Sequence, residues 1–139
     1  MLSLLLFSLI ACEPAPPAEG PTEAIGASEY IPEMWSQRAL TVRAGLDEAA
    51  ALYQDEERSE AQAMVMAVYK GSFEPELEPL IRQGVDPRKA AELEYRFGLV
   101  REAMGKRRNE KGVFASIEAL SEQLDRAAAE LDRAQAVIE

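Results

Sequence analysis

Histidine is absent from the 139 residues, and cysteine occurs once, at Cys12. Without histidine the Glu-x-x-His pairs of a di-iron bundle cannot be built, nor can an imidazole haem ligand, an ordinary zinc site or a Ser-His-Asp triad. A single cysteine offers no internal disulfide, so the fold must rest on its core alone. No apolar run exceeds Leu2–Ala11, which falls short of the ~20 residues a helix needs to cross the hydrocarbon of a bilayer. Basic residues are also scarce: 15 Lys and Arg stand against 25 Asp and Glu, for a net charge of −10. That balance repels nucleic acid and anionic headgroups and suits cations or basic partners, although acidity also serves plain solubility. Period-two alternation is missing, so no strand is expected, and without strands no Gly-rich phosphate loop follows one. These absences together predict a protein that is not an enzyme.

What is present begins with an address. The apolar run Leu2–Ala11 closes on Leu9-Ile10-Ala11-Cys12, which resembles the box of a bacterial lipoprotein signal, where the Cys thiol is acylated and becomes the first mature residue. Residues 1–11 then read as the signal peptide. The pattern departs from the usual one in having no Lys or Arg before Arg38. Each buried methylene of an acyl chain contributes about 0.8 kcal/mol, and more than one chain is needed for stable attachment. Acylated Cys12 would hold the protein on the lipid bilayer. Glu13, where an Asp would direct retention elsewhere, favours the periplasmic face of the outer membrane. The stretch Glu13–Ser28, with Pro14, Pro16, Pro17 and Pro21 and little that is apolar, cannot bury enough surface to offset its ordering entropy. Residues 12–29 therefore read as a tether, ~50 Å at full reach.

From residue 30 to residue 139 the pattern is helical. Trp35, Ala39, Val42, Leu46, Ala49 and Tyr53 step by four and three, giving one apolar stripe on a helix over Pro32–Gln54. Acidic residues 55–57 suit the positive end of a second helix. Its stripe of Ala61, Met64, Val65, Val68 and Ser72 meets Gly71-Ser72-Phe73-Glu74-Pro75, where the proline predicts a kink or a break. Phe73, Leu77, Leu80 and Ile81 resume the stripe. Asp86 followed by Pro87 is a start signal for a third helix, carrying Ala90, Leu93, Phe97, Val100 and Met104. Lys106-Arg107-Arg108 suits its negative end, and Asn109–Gly112 reads as a turn. The fourth helix repeats Val113, Ile117, Leu120, Leu124, Ala127, Leu131, Ala134 and Ile138. Four such helices with short turns predict an all-α, up-down-up-down four-helix bundle.

Polar residues beside the core stripes mark the candidate site. Glu74 and Glu78 are four apart, on one face of a helix, and Glu94 on the next helix is placed to join them. Three carboxylates make an oxygen-only set that suits a hard cation. Tyr69 and Tyr95 lie close in sequence or register, and Arg101 is a candidate for the compensating charge. The competing structural reading of Glu94, Gly98, Arg101 and Gly105 is close helix packing at the glycines with a Glu-to-Arg ion pair. Met34, Met64, Met66 and Met104 have spacings that fit core filling better than a copper site.

Residues 63–104 resemble the extracytoplasmic helical domain attached to bacterial high-affinity iron permeases. The likeness rests on Val68 with Tyr69, Phe73 with Glu74, Glu78, Leu93 with Glu94, Phe97 and Arg101. The membrane-spanning permease part is missing, so the resemblance implies a stand-alone accessory domain that binds or delivers iron to a transport system. The alternative is an adaptor that touches no metal and binds another envelope protein through a helix face.

Overall fold

The computed structural model describes residues 33–138. The segments expected to be a signal (1–11), a lipidation site (Cys12) and a tether (12–29) lie outside the described residues. Those described form an all-α bundle of four rods. The first is α1, Met34–Gln54. The second runs through α2 (Arg58–Val68), a π-helical segment (Tyr69–Leu77) and α3 (Glu78–Gly84). The third is α4, Pro87–Gly105, and the fourth is α5, Glu110–Ile138. Among the described residues none is in a strand, and no helix is long and apolar enough to cross a membrane.

The apolar stripes meet in one core. Val42, Leu46, Val65, Phe73, Leu77, Ile81, Leu93, Val100, Met104, Leu120 and Leu124 are fully buried. Burial of each large side chain contributes about 1.5–3 kcal/mol. Ser121 is the one buried polar side chain among the described residues. Ala134, expected on the last stripe, is exposed. Contacts between rods run in opposite order along the chain. Arg38 meets Glu76 while the Val68 side chain abuts Gly45. Lys89 meets Glu130 while Glu92 meets Gln123. This order is consistent with antiparallel neighbours. At Gly45 the approach is so close that a Cβ would overlap Val68.

Two helix starts are capped by carboxylates, one distant in sequence and one local. Glu33 precedes α1 in a left-handed conformation (φ 57°) and supplies no side-chain cap. The cap comes instead from Asp132 of α5, whose carboxylate accepts from the backbone N–H groups of Trp35 and Ser36, both at 2.9 Å, and from the Ser36 hydroxyl at 2.6 Å. A carboxylate at the positive end of the helix dipole is favourable. The α4 start is local, as expected: Asp86 is extended, accepts from the Arg88 N–H at 2.8 Å, and is followed by Pro87.

The second rod is irregular where the sequence predicts a kink or a break, at Gly71–Pro75, and the chain stays helical from Arg58 to Gly84. A nine-residue π-helical segment takes up the irregularity. Pro75 lacks the N–H that an ordinary turn uses and crowds the carbonyl behind it; widening the turns relieves this while Phe73 and Leu77 both stay buried. The last turn needs correction: it lies at residues 106–109, three residues earlier than expected, so Lys106, Arg107 and Arg108 follow the end of α4 at Gly105 and are not its last turn. Glu110 already begins α5, so Gly112 is helical, and its missing Cβ leaves room for the Asn109 side chain.

Candidate functional site

The π-helical segment and α4 bring an aromatic cluster to the bundle's surface. Tyr69, Phe73 and Phe97 stack mutually, with ring centroids 5.8 Å (Tyr69–Phe73), 5.3 Å (Tyr69–Phe97) and 4.9 Å (Phe73–Phe97) apart. Phe73 and Phe97 are buried and form a floor, while Tyr69 is half-buried with its hydroxyl toward charged neighbours. Burial raises the Tyr69 pKa above its ordinary value. The negative charges of Glu94, Glu78 and Glu74, in that order, raise it further.

The three glutamates chosen from the sequence thus lie near enough to one phenol for their charge to act on it. They are not equivalent. Glu78 is half-buried and paired with Arg82 of the next turn at 2.5 Å. That bond is the main cause of a raised Arg82 pKa, against an opposing desolvation, with smaller contributions from Glu78, Glu94 and Tyr69 as nearby charges. Glu74 and Glu94 are exposed and make no ion pair among the described residues. Among those residues, no group of three or more His, Cys, Asp or Glu side chains is gathered so as to hold a metal ion. The carboxylates share a face without composing a coordination shell.

Two expected members stand elsewhere. Arg101 lies one to two turns along α4, directs a guanidinium nitrogen to the Met66 sulfur at 3.3 Å, and accepts at its carbonyl from Gln62 at 2.9 Å. It forms no ion pair with Glu94, and Gly98 between them has open space where a Cβ would go, so close glycine packing is not found there. Tyr95 is 65% exposed and follows Glu94 by one residue, which turns it about 100° around the helix, away from Tyr69. The residue sequence reasoning missed is Arg82. The signal was present, since Glu78 and Arg82 have the i,i+4 spacing of a helix ion pair. Met104 is a core residue and Met64 packs against the core.

Chemically, Glu74, Glu94 and the Tyr69 oxygen form a surface rich in acceptors, with one guanidinium in partial compensation. Such a surface takes hydrogen-bond donors that carry positive charge, such as an ammonium or guanidinium group. Comparison with protein-family models, curated proteins and solved structures returned no match. The resemblance to the iron-permease-associated domain therefore rests on residues 63–104 alone.

Proposed function

We propose that this chain is a non-enzymatic, lipid-tethered module of the bacterial cell envelope. Acylated Cys12 holds it at the periplasmic face of the outer membrane, and its acidic face around Tyr69 docks a cationic segment of another envelope protein. The observation that carries this reading is that Glu74 and Glu94 are exposed without an ion pair among the described residues, near enough to Tyr69, with Glu78, for their charge to raise its pKa, while Glu78 is paired with Arg82. A protein partner bearing Lys or Arg can meet exposed carboxylates one at a time. A resident metal needs them gathered within a common shell, which the described residues do not supply.

The second reading keeps the same face and changes the cation. Glu74, Glu78 and Glu94 would pass a metal ion, iron in the reading the resemblance implies, to a membrane iron permease. The specific observation in its favour is that all three chosen glutamates do bear on Tyr69.

The docking reading is tested by a photo-cross-linking residue placed at Gly98, exposed one turn from Glu94 with open space at its Cβ position, and separately at Phe114, exposed on α5. In intact cells position 98 should give one discrete adduct and position 114 none. Combined Glu74→Lys and Glu94→Lys should abolish the adduct while leaving the melting temperature close to wild type. Equal labelling from both positions, or an adduct indifferent to charge reversal, would count against docking at this face.

A further inference from the structure

The other concentrated polar feature lies at the end of the bundle where α1 passes to α2 and α4 passes to α5. There Tyr53, Glu56, Arg58, Arg107, Arg108 and Glu110 line a cavity of about 550 Å³. Tyr53 is 4% exposed, and its hydroxyl is fully engaged. It donates to the Lys106 carbonyl at 2.5 Å and accepts from the Asn109 backbone N–H at 2.9 Å. These two bonds grip the α4–α5 turn on either side of Arg107 and Arg108. Asn109 Nδ2 donates to the Ala103 carbonyl at 3.1 Å, and Arg58 donates to the Gly105 carbonyl at 2.9 Å. A short basic turn that would otherwise be loose is thereby held from three directions.

The charges it presents lack local partners. Among the described residues no carboxylate lies within 4 Å of the Arg58, Arg107 or Arg108 guanidinium. Glu56 and Glu110 line the same cavity and oppose an anion, but three guanidinia outnumber them. Holding like charges together on a fixed turn costs free energy that a bound anion would recover. Guanidinium forks suit an oxyanion with several acceptor oxygens, and forks from two different segments suit a tetrahedral one better than a planar carboxylate. On a chain of net charge −10, non-specific attraction of anions is disfavoured, so any binding here must come from this local set.

We infer that the cavity lined by Arg58, Arg107 and Arg108 is a binding site for a phosphate group, positioned by the Tyr53 clamp. The site is independent of the acidic face around Tyr69. The phosphate arrives either as a free phosphate or as the phosphomonoester of a lipid headgroup. Calorimetric titration of the full chain, carrying Cys12→Ser so that it takes no acyl group, with inorganic phosphate, pyrophosphate and glycerol 3-phosphate tests the inference. Saturable binding of at least one is expected beyond that of sodium chloride at equal ionic strength. Preference for phosphate or pyrophosphate identifies a free ligand, and preference for glycerol 3-phosphate identifies a headgroup. Affinity should fall by about tenfold or more in R107A/R108A, fall by a smaller factor in Tyr53→Phe, and stay unchanged in K70A/R133A, which removes exposed cations elsewhere. Circular dichroism would confirm that each variant folds. No saturable binding of any of the three probes, chloride matching them, or equal binding by R107A/R108A would overturn the inference.

Discussion

Tyr53 and Tyr69 set the same phenol at two edges of one bundle and surround it with opposite company. Tyr53 is buried and spends its hydroxyl on two backbone groups of the α4–α5 turn, with arginines around the cavity it lines. Tyr69 rests on Phe73 and Phe97, and the charges of Glu94, Glu78 and Glu74 act on its hydroxyl. The first tyrosine is a structural clamp whose hydrogen bonds hold a turn. The second is part of a surface whose charge is largely unspent. A residue type therefore says little about role until its partners are known, and for Tyr53 those partners lie more than fifty residues away.

The comparison can be broken most forcefully from beneath. Phe73→Ala removes the floor under Tyr69 and opens a cavity in the core, with an expected loss of about 3–5 kcal/mol in denaturant unfolding. Tyr53→Phe keeps the ring and deletes the clamp, leaving the Lys106 carbonyl and the Asn109 N–H without their partner. A loss of about 1–3 kcal/mol is expected, measured in the same way. Tyr69→Phe should lie within about 0.5 kcal/mol of wild type at neutral pH, because its hydroxyl holds no buried backbone group.

The smallest effect is the sharpest discriminator, and it depends on pH. The Tyr69 pKa is raised in the folded state, so the folded chain holds the phenolic proton more tightly than the unfolded chain. That contribution is fully present below the unfolded phenol's pKa of about 10 and is lost as pH rises through the higher folded value. Wild type should therefore lose more stability in alkali than Tyr69→Phe does. Parallel alkaline profiles for the two proteins would show that the carboxylates do not bear on the phenol.

The sequence carried the stripes because burial selects one face of each helix every 3.6 residues, and Val42, Leu46, Leu93, Val100, Leu120 and Leu124 are buried where that period puts them. Asp86 and Pro87 were readable because a cap acts on its own helix. The π-helical segment was readable only as trouble at Pro75. Whether a chain breaks or widens depends on whether Phe73 and Leu77 can both stay in the core, and that is decided by the neighbouring rods. The Asp132 cap on α1 was invisible, since it joins residues about a hundred positions apart. At the site, Glu74, Glu78 and Glu94 follow from helical spacing and the register of adjacent rods. Arg101 was misplaced because its spacing from Glu94 locates it along α4 without fixing how far it stands from the π-helical segment. The basic run was plain in composition but was read as the end of the third helix; its place in the turn and the clamping by Tyr53 are tertiary facts.

The central claim is that the acidic face around Tyr69 receives the positive charge of a protein partner and does not hold a metal ion of its own. The most direct measurement is the melting temperature of wild type and of the E74Q/E78Q/E94Q variant with and without ferrous, ferric and calcium ions. The account predicts that none of these ions produces a saturable rise in wild type beyond that in the variant. A saturable rise in wild type that the variant loses would contradict it and make the face a metal site.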